Sequence, residues 1–305
     1  MTVSIPIATY NRAKFLTECL DSIVAQTYQD IEVIIVDDAS TDNTSDVVSR
    51  YGSRVKYVRH PQNQGFIKTF VHASSLCTGK YETYFGDDDV LTPEFIERGV
   101  TVLESDPSIG KFCTDCYMID PRGNRIGNET YLHAYQRQTG RVTIHDLLEF
   151  GCFVHLGINR RSVVESIGHY DPAFTHAADY DLYLRMTGAG YSIYFLNEPL
   201  LYYRIHPNMR SHRESEMWTE TIRIMELNAA RFPQAAQALG RKLEKRLGMN
   251  KAWLAVRLFW EGQFGRALSF GLSATRHYIP AVPIGAAQMA VSKLKGKRSV
   301  YRLSD

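Results

Sequence analysis

The chain offers no disulfide framework: its five cysteines, Cys19, Cys77, Cys113, Cys116 and Cys152, are odd in number and scattered through 305 residues. That argues against a secreted, cross-linked fold. Cys113 and Cys116 have CxxC spacing, but no second CxxC or His pair follows at zinc-site distance, so two thiols on a buried strand are expected. Long apolar runs are also missing. The longest uncharged stretch, 278–292, contains Pro280 and Pro283 and falls short of the roughly 18–20 residues that a membrane span needs. The opening Met1-Thr-Val-Ser-Ile-Pro-Ile reads as a strand rather than a charged region followed by an apolar one, so no signal peptide is expected. These absences point to a reducing cytoplasm. No fixed-period repeat and no low-complexity tract interrupts the chain.

What is present is ordinary in bulk and uneven in detail. Hydrophobic content of 44% and charged content of 22% suit a globular protein, and the length allows one large core or two smaller ones. The formal charge of +2 hides a division. Residues 241–305 hold 13 Lys/Arg against 3 Asp/Glu, whereas the first 240 hold 22 against 30.

The first hundred residues alternate strand and helix signals. Val3–Ala8 is a short apolar run, and residues 12–25 then place Phe15, Leu16, Cys19, Leu20 and Ile23 at helical spacing. Ile31–Val36 is a β-branched-rich run broken only by Glu32, as in a strand buried on both faces of a parallel sheet. Ser40-Thr41-Asp42 supplies cap chemistry for a helix over about 43–50. Further strands are expected at 55–58 and 81–85, with helices to about Leu76 and after Pro93. This order implies a doubly wound α/β sheet with right-handed crossovers, whose ligands sit beyond the carboxyl ends of the strands. Beyond residue 110 the spacing predicts strands over 111–119, 153–158, 192–196 and 199–204. Helices are expected near 160–167 and 179–188, with an irregular polar loop over 126–141 and only helix after about 213.

Polar clusters fall at those strand ends: Thr9-Tyr10-Asn11, the pair Asp37-Asp38, and Gly86 followed by Asp87, Asp88 and Asp89. Adjacent carboxylates repel one another and are costly to desolvate without a counter-charge. A divalent cation is the usual resolution, and Mg²⁺ or Mn²⁺ held by one or two carboxylates commonly also holds substrate phosphates. A site for a metal–diphosphate ligand is therefore expected.

The motifs extend this. Ile5-Pro-Ile-Ala-Thr-Tyr-Asn-Arg12, Val33-Ile-Ile-Val-Asp-Asp-Ala-Ser-Thr-Asp42, Asn63-Gln-Gly65, Gly79-Lys-Tyr81 and Asp87-Asp-Asp-Val-Leu-Thr-Pro93 stand in an order that resembles the family 2 glycosyltransferases of GT-A fold. Gly168-His-Tyr-Asp171, Asp179-Tyr-Asp-Leu-Tyr-Leu-Arg185 and Tyr203-Arg-Ile-His206 carry the resemblance to about residue 210. It implies a GT-A, Rossmann-like domain over 1–212, with a nucleotide-binding half (1–110) and an acceptor-binding half (111–212). A basic helical region, 213–305, would follow. It also implies inverting transfer of a sugar from a uridine or thymidine diphosphate sugar, with Mn²⁺ or Mg²⁺, to a glycan or lipid-linked acceptor in surface polysaccharide synthesis.

By the same resemblance Asp38 would accept the imide N–H of the base, with Ala8, Thr9 and Tyr10 forming the wall beside it. Arg12, Lys68 and Asp87 complete the nucleotide set. Asp88 falls at the metal ligand, and His206 near the diphosphate and metal. Asp179 falls at the catalytic base and Asp181 is its runner-up. Asp89 and Arg204 support the site, and His155 lies where the acceptor pocket begins. Two positions depart from the family pattern: Gly86 stands at the first acidic position of the DxD motif, and Ala178 where Glu often precedes the base.

The tail keeps two readings, a helical bundle packed on the catalytic domain or amphipathic helices on an anionic membrane face. Trp253, Val256, Leu258, Phe259 and Trp260 with Arg257 serve either. In the second reading the cytoplasmic protein is held peripherally at the inner membrane face. No nucleic-acid motif accompanies the charge, so nucleic acid is not an expected partner. Two rival functions remain open. A nucleotidyltransferase would need a Gly-rich basic loop after the first strand, which Thr9-Tyr-Asn-Arg12 does not supply. A non-catalytic nucleotide-sugar-binding protein would bind a donor and release no product.

Overall fold

A computed structural model describes residues 1–132, 138–151, 156–207, 209 and 214–277. The alternation becomes β1 (Val3–Thr9), α1 (Ala13–Val24), β2 (Ile31–Asp37), α2 (Thr44–Ser49), β3 (Val55–Arg59), α3 (Phe66–Ser75) and β4 (Tyr81–Tyr84). A two-residue strand, β5 (Val90–Leu91), then precedes α4 (Phe95–Ser105). Next come β6 (Ile109–Ile119), β7 (Arg125–Thr130), β8 (Gly140–Val142), α5 (Ile144–Phe150), β9 (Gly157–Arg160), α6 (Arg161–Ile167), α7 (Ala178–Gly188) and β10 (Ser192–Arg204). Four helices follow: α8 (Glu214–Arg231), α9 (Pro233–Leu239), α10 (Arg241–Trp260) and α11 (Phe264–His277).

The chain divides into two compact units. The first spans Met1–Thr143 and Phe153–Arg204, the second Ile144–Cys152 and Ile205–Asp305. The sheet lies in the first, in the order β3-β2-β1-β4-β9-β6-β10-β5, with β7 beside β6 and β8 beside β10. β3, β2, β1 and β4 run parallel, β9 is antiparallel to both its neighbours, and β6 and β10 are again parallel. Because β2 and β3 extend to one side of β1 and β4 lies on the other, the chain reverses direction across the sheet between β1 and β4. A crevice opens at such a switch point in doubly wound sheets, which fixes where the ligand belongs.

Both sheet faces are covered, which is why Val3, Ile5, Ile7, Ile34, Ile35 and Val36 are buried without alternation. One core joins Val3, Ile5 and Ile7 to Leu16, Leu20 and Ile23 of α1 and to Phe95 and Leu103 of α4. A smaller one packs Ile34 and Val36 on Ala73 and Cys77. Each such side chain contributes about 1.5–3 kcal/mol by leaving water. Cys113 and Cys116 are buried thiols on β6 that form no disulfide.

Three expectations change. The segment expected to be an irregular loop contains β7 and β8. It read as loop because β7 is a largely exposed edge strand with polar side chains, while its turn is well made: Asp120 Oδ1 accepts the amides of Arg122 (2.8 Å) and Asn124 (2.9 Å). The two strands expected at 192–196 and 199–204 are one strand, β10. Its register against β6 shifts on either side of Pro199, a residue with no N–H to give the ladder. The strand expected at 153–158 is described only from Gly157 onward, since 152–155 lie outside the described residues.

The second unit is helical. Ile222, Leu254, Leu258 and Ala267 form its core, and the buried Lys251 is held by Glu226 (2.6 Å) and Ser273 (3.0 Å). Phe264, Leu268 and Leu272 of α11 recur at helical spacing and are exposed, as are Phe259 and Trp260 at the end of α10. Among the described residues no helix is long and apolar enough to cross a membrane.

Candidate active site

The loops after β1 and β2 are latched together. Asn11, at φ 53°, turns its side-chain oxygen to the amides of Thr41 (2.7 Å) and Asp42 (3.3 Å), while its own amide donates to Ser40 Oγ (2.9 Å). Asp42 accepts the amides of Thr44, the first residue of α2, and of Ala13 (both 3.1 Å). Ala8 and Thr9 are buried beside this latch and Tyr10 is exposed.

Asp37 is committed to structure: its carboxylate accepts Ser40 N (2.8 Å) and the Tyr57 hydroxyl (2.6 Å). The buried Asp38 accepts His60 Nδ1 (2.9 Å) and the amides of Gln64 (2.8 Å) and Gly65 (2.9 Å). Burial raises its carboxyl pKa, but His60 and the two amides outweigh that and hold it below the usual carboxylate value. Gly65, at φ 88°, opens α3, whose first turn carries the exposed Lys68.

Across the switch point, Arg12 at the end of the β1 loop ion-pairs with Asp88 and lies 3.7 Å from Asp87. Asp89 accepts the amides of Arg204 (3.0 Å) and Gly86 (3.2 Å). Arg204 braces this loop from beneath. Its guanidinium donates to the carbonyls of Asp88 (2.8 Å) and Asp120 (3.2 Å), reaches Glu18 (2.5 Å), and lies over the Phe15 ring. With no exposed surface, it supports the aspartates from this position. Asp87 and Asp89 are buried. Burial and then the charge of Asp88 push both carboxyls upward, Asp89 furthest.

Gly86 is explained by the same loop. A Cβ there would collide with the Asp88 carboxylate and come within 3.2 Å of Asp89 Oδ2. Asp88 thus fills the space where the family's first acidic residue would begin its side chain. Among the described residues no group of three or more His, Cys, Asp and Glu side chains is set out to hold a metal. An ion here would be held by one or two of these carboxylates, as is usual for Mg²⁺.

Asp179 lies in the first turn of α7 and its side chain accepts the Tyr180 amide (2.9 Å). Asp181 is buried and pairs with Arg185 (2.7 Å), which in turn donates to the carbonyls of Ile167 (2.5 Å) and His169 (2.6 Å). Asp181 therefore fastens α7 to the end of α6. Tyr170 is buried between them, stacked on Tyr84 with centroids 5.2 Å apart and edge-on to Phe70. Burial, then Tyr84, Glu82 and Asp179, push its phenol pKa up. His206 belongs to the second unit, where it is buried and its carbonyl accepts the Met209 amide. His155 lies outside the described residues.

Sequence reasoning passed over His60, His72, Tyr84, Tyr170 and Glu18. Only Tyr170 stood within a quoted motif, and nothing local to the other four marks them, because their partners are distant in sequence.

A family model described as glycosyl transferase family 2 matches residues 4–168, more than half of the chain. The chain belongs to this family. An uncharacterized glycosyltransferase of Rickettsia prowazekii is 29% identical over 209 residues, covering 67% of this chain and 64% of the relative. A chondroitin synthase of Escherichia coli is 30% identical over 197 residues, covering 62% of this chain and 27% of that protein. The chain thus spans less than two thirds of the length of these relatives. Among solved structures, S. aureus TarS 1–349 in complex with UDP superimposes with a TM-score of 0.69 at 19% identity, covering 100% of this chain and 94% of that one. A mannosyltransferase from Pyrobaculum calidifontis in complex with GDP-Man and Mn²⁺ gives 0.61 at 19%, covering 95% and 80%. The fold is GT-A, followed by C-terminal helices.

Proposed function

We propose that this chain is an inverting transferase that moves a sugar from a nucleoside diphosphate sugar, of the uridine or thymidine type, to a hydroxyl of a glycan or lipid-linked acceptor. The observation that carries the reading is the contact of Arg12 with Asp88, which ties the ends of β1 and β4 together at the switch point. Asp38 would receive the base and Asp88 would hold the metal-bound diphosphate. The UDP, UDP-GlcNAc and GDP-Man complexes of the structural neighbours support a diphosphate-sugar donor.

The residues fit a divalent ion by chemistry: the carboxyl oxygens of Asp87, Asp88 and Asp89 crowd one strand end beside the Arg12 guanidinium. Bound there, a divalent cation would neutralise charge growing on the leaving diphosphate. The chain's own residues do the rest. Asp179 takes the proton of the acceptor hydroxyl as its oxygen bonds to the anomeric carbon. The bond from that carbon to the diphosphate oxygen breaks on the opposite face, so configuration inverts and no sugar–enzyme bond forms. Asp181 and Arg185 keep α7, and with it Asp179, in place. The part assigned to His206 rests on the sequence motif alone. For the acceptor side, the exposed Phe264, Leu268 and Leu272 with the basic tail favour attachment to an anionic membrane surface.

A thermal-shift panel of nucleotide sugars with and without Mn²⁺ tests donor choice, because a ligand of the folded state raises apparent stability. Release of nucleoside diphosphate then tests catalysis. Asp179→Asn is expected to lower kcat by roughly 10²–10⁴-fold while donor affinity holds. A wild-type protein that binds a nucleotide sugar yet releases nothing with any acceptor would favour the non-catalytic reading.

A further inference from the structure

Asp38 is the near end of a chain of polar side chains that the reaction outlined above does not use. His60 follows β3, and its Nδ1 lies 2.9 Å from Asp38 Oδ1. Its Nε2 lies 2.8 Å from Nδ1 of His72 on α3. The two rings are parallel within 1°, with centroids 5.1 Å apart. Together with the short nitrogen–nitrogen contact, that describes imidazoles joined edge to edge through an in-plane hydrogen bond rather than stacked faces.

The direction of the chain follows from its first member. Asp38 accepts two backbone amides besides His60 and its carboxyl is held below the usual range, so it is ionised and His60 must present N–H from Nδ1. With neutral rings, His60 Nε2 then offers a lone pair and His72 Nδ1 donates into it, fixing both tautomers. His60 is buried and His72 half-buried, so the far end of the chain reaches the surface of α3.

We propose that His60 and His72 are positioning residues for donor recognition: they fix the orientation of the Asp38 carboxylate so that it meets a ring N–H of the donor's base. This rests on the donor reading above, in which Asp38 faces the base. Asp38 lies one residue beyond β2, on a loop whose neighbour Ala39 has φ 65°. A carboxylate there keeps one orientation only if its partners hold it. The amides of Gln64 and Gly65 hold it from the loop before α3, and the two histidines link it to the body of that helix. The chain therefore acts on binding of the base and leaves the chemical step alone.

The test uses the whole chain with uridine diphosphate and Mn²⁺ in titration calorimetry, followed by kcat and donor KM. His72→Ala removes a half-buried side chain and is expected to weaken binding and raise donor KM roughly three- to tenfold, with kcat within twofold. His60→Ala is expected to cost more, and His60→Asn to recover much of the loss by restoring one donor to Asp38. In an Asp38→Asn background His72→Ala should have no further effect. In spectra of ¹⁵N-histidine protein, the His60 Nδ1–H signal should move when the nucleotide is added. If His72→Ala and His60→Ala bind like the wild type while Asp38→Asn does not, the positioning role is overturned and the donor reading stands. If the wild type binds no nucleoside diphosphate, the donor reading falls and takes this one with it.

Discussion

Asp37 and Asp38 close β2 with their carboxylates answered by Ser40, Tyr57, His60 and the amides of Gln64 and Gly65. Asp87, Asp88 and Asp89, beyond the end of β4, share the Arg12 guanidinium and two amides, and burial drives Asp87 and Asp89 toward protonation. The two clusters lie on either side of β1 at the same edge of one sheet. Their difference is one of preparation. The first cluster has its hydrogen bonds made and its charge stabilised before any ligand arrives. The second crowds three carboxyls where burial makes ionising all of them costly, a cost that a bound cation relieves.

The largest expected effect comes from breaking the second cluster. Asp88→Asn keeps the shape and removes the charge, and nucleoside diphosphate release is expected to fall by on the order of 10²-fold or more. The stabilisation that Mn²⁺ gives with a nucleotide sugar, read as a shift in Tm, should disappear with it. Asp38→Asn should instead raise donor KM and leave kcat nearly unchanged. Equal effects of the two variants on kcat would erase the distinction between the clusters.

Much of this arrangement was legible from local pattern. The β-branched-rich run Ile31–Val36 read as a strand covered on both faces, and the periodicity of 12–25 gave α1 to within a residue or two. Strand ends followed, and with them the three polar clusters. What stayed hidden depends on partners far along the chain. The Arg12–Asp88 pair spans 76 residues and the Arg204–Glu18 pair 186. β7 was unreadable because an exposed edge strand has no buried face to impose alternation on its side chains. β10 looked like two strands because Pro199 interrupts its pattern, while Thr114 Oγ1 bridges the irregularity by donating to Glu198 O and accepting Leu200 N. The helix α5 gave too short a periodic run to be noticed.

A subtler way to sharpen the contrast is Gly86→Ala. Gly86 has no left-handed backbone requirement, so the methyl acts only through what it meets, chiefly the Asp88 carboxylate and, at 3.2 Å, Asp89 Oδ2. Asp88 must rotate, and its pairing with Arg12 weakens. Activity is expected to drop about tenfold, with Tm changed by no more than a few degrees, because the displaced group is the end of a side chain and no core contact is lost. Unchanged activity would mean that the orientation Asp88 shares with Arg12 has no bearing on turnover.

The smallest effect is a control at the opposite end of the strands. Glu82 of β4 is fully buried beside Ser4 of β1 and Asn159 of β9. Ser74 donates to one of its oxygens (2.8 Å), while the other oxygen and both amide atoms of Asn159 lack hydrogen-bond partners. Burial pushes its carboxyl up to about 7. A carboxyl raised in the folded state binds its proton more tightly there than in the unfolded chain, so stability falls as pH rises from the ordinary glutamate value toward 7 and then levels off. Asp38, with its carboxyl lowered, works the other way: its contribution is complete above the ordinary aspartate value and is lost in acid. Glu82→Gln removes the first dependence and sets an amide N–H₂ toward Asn159. It should match the wild type near pH 4.5 and exceed it in Tm by a few degrees at pH 8, with nucleotide-sugar binding and its response to Mn²⁺ unchanged. A loss of the Mn²⁺ response in this variant would show that buried charge anywhere in the sheet, not the cluster beyond β4, governs the ion.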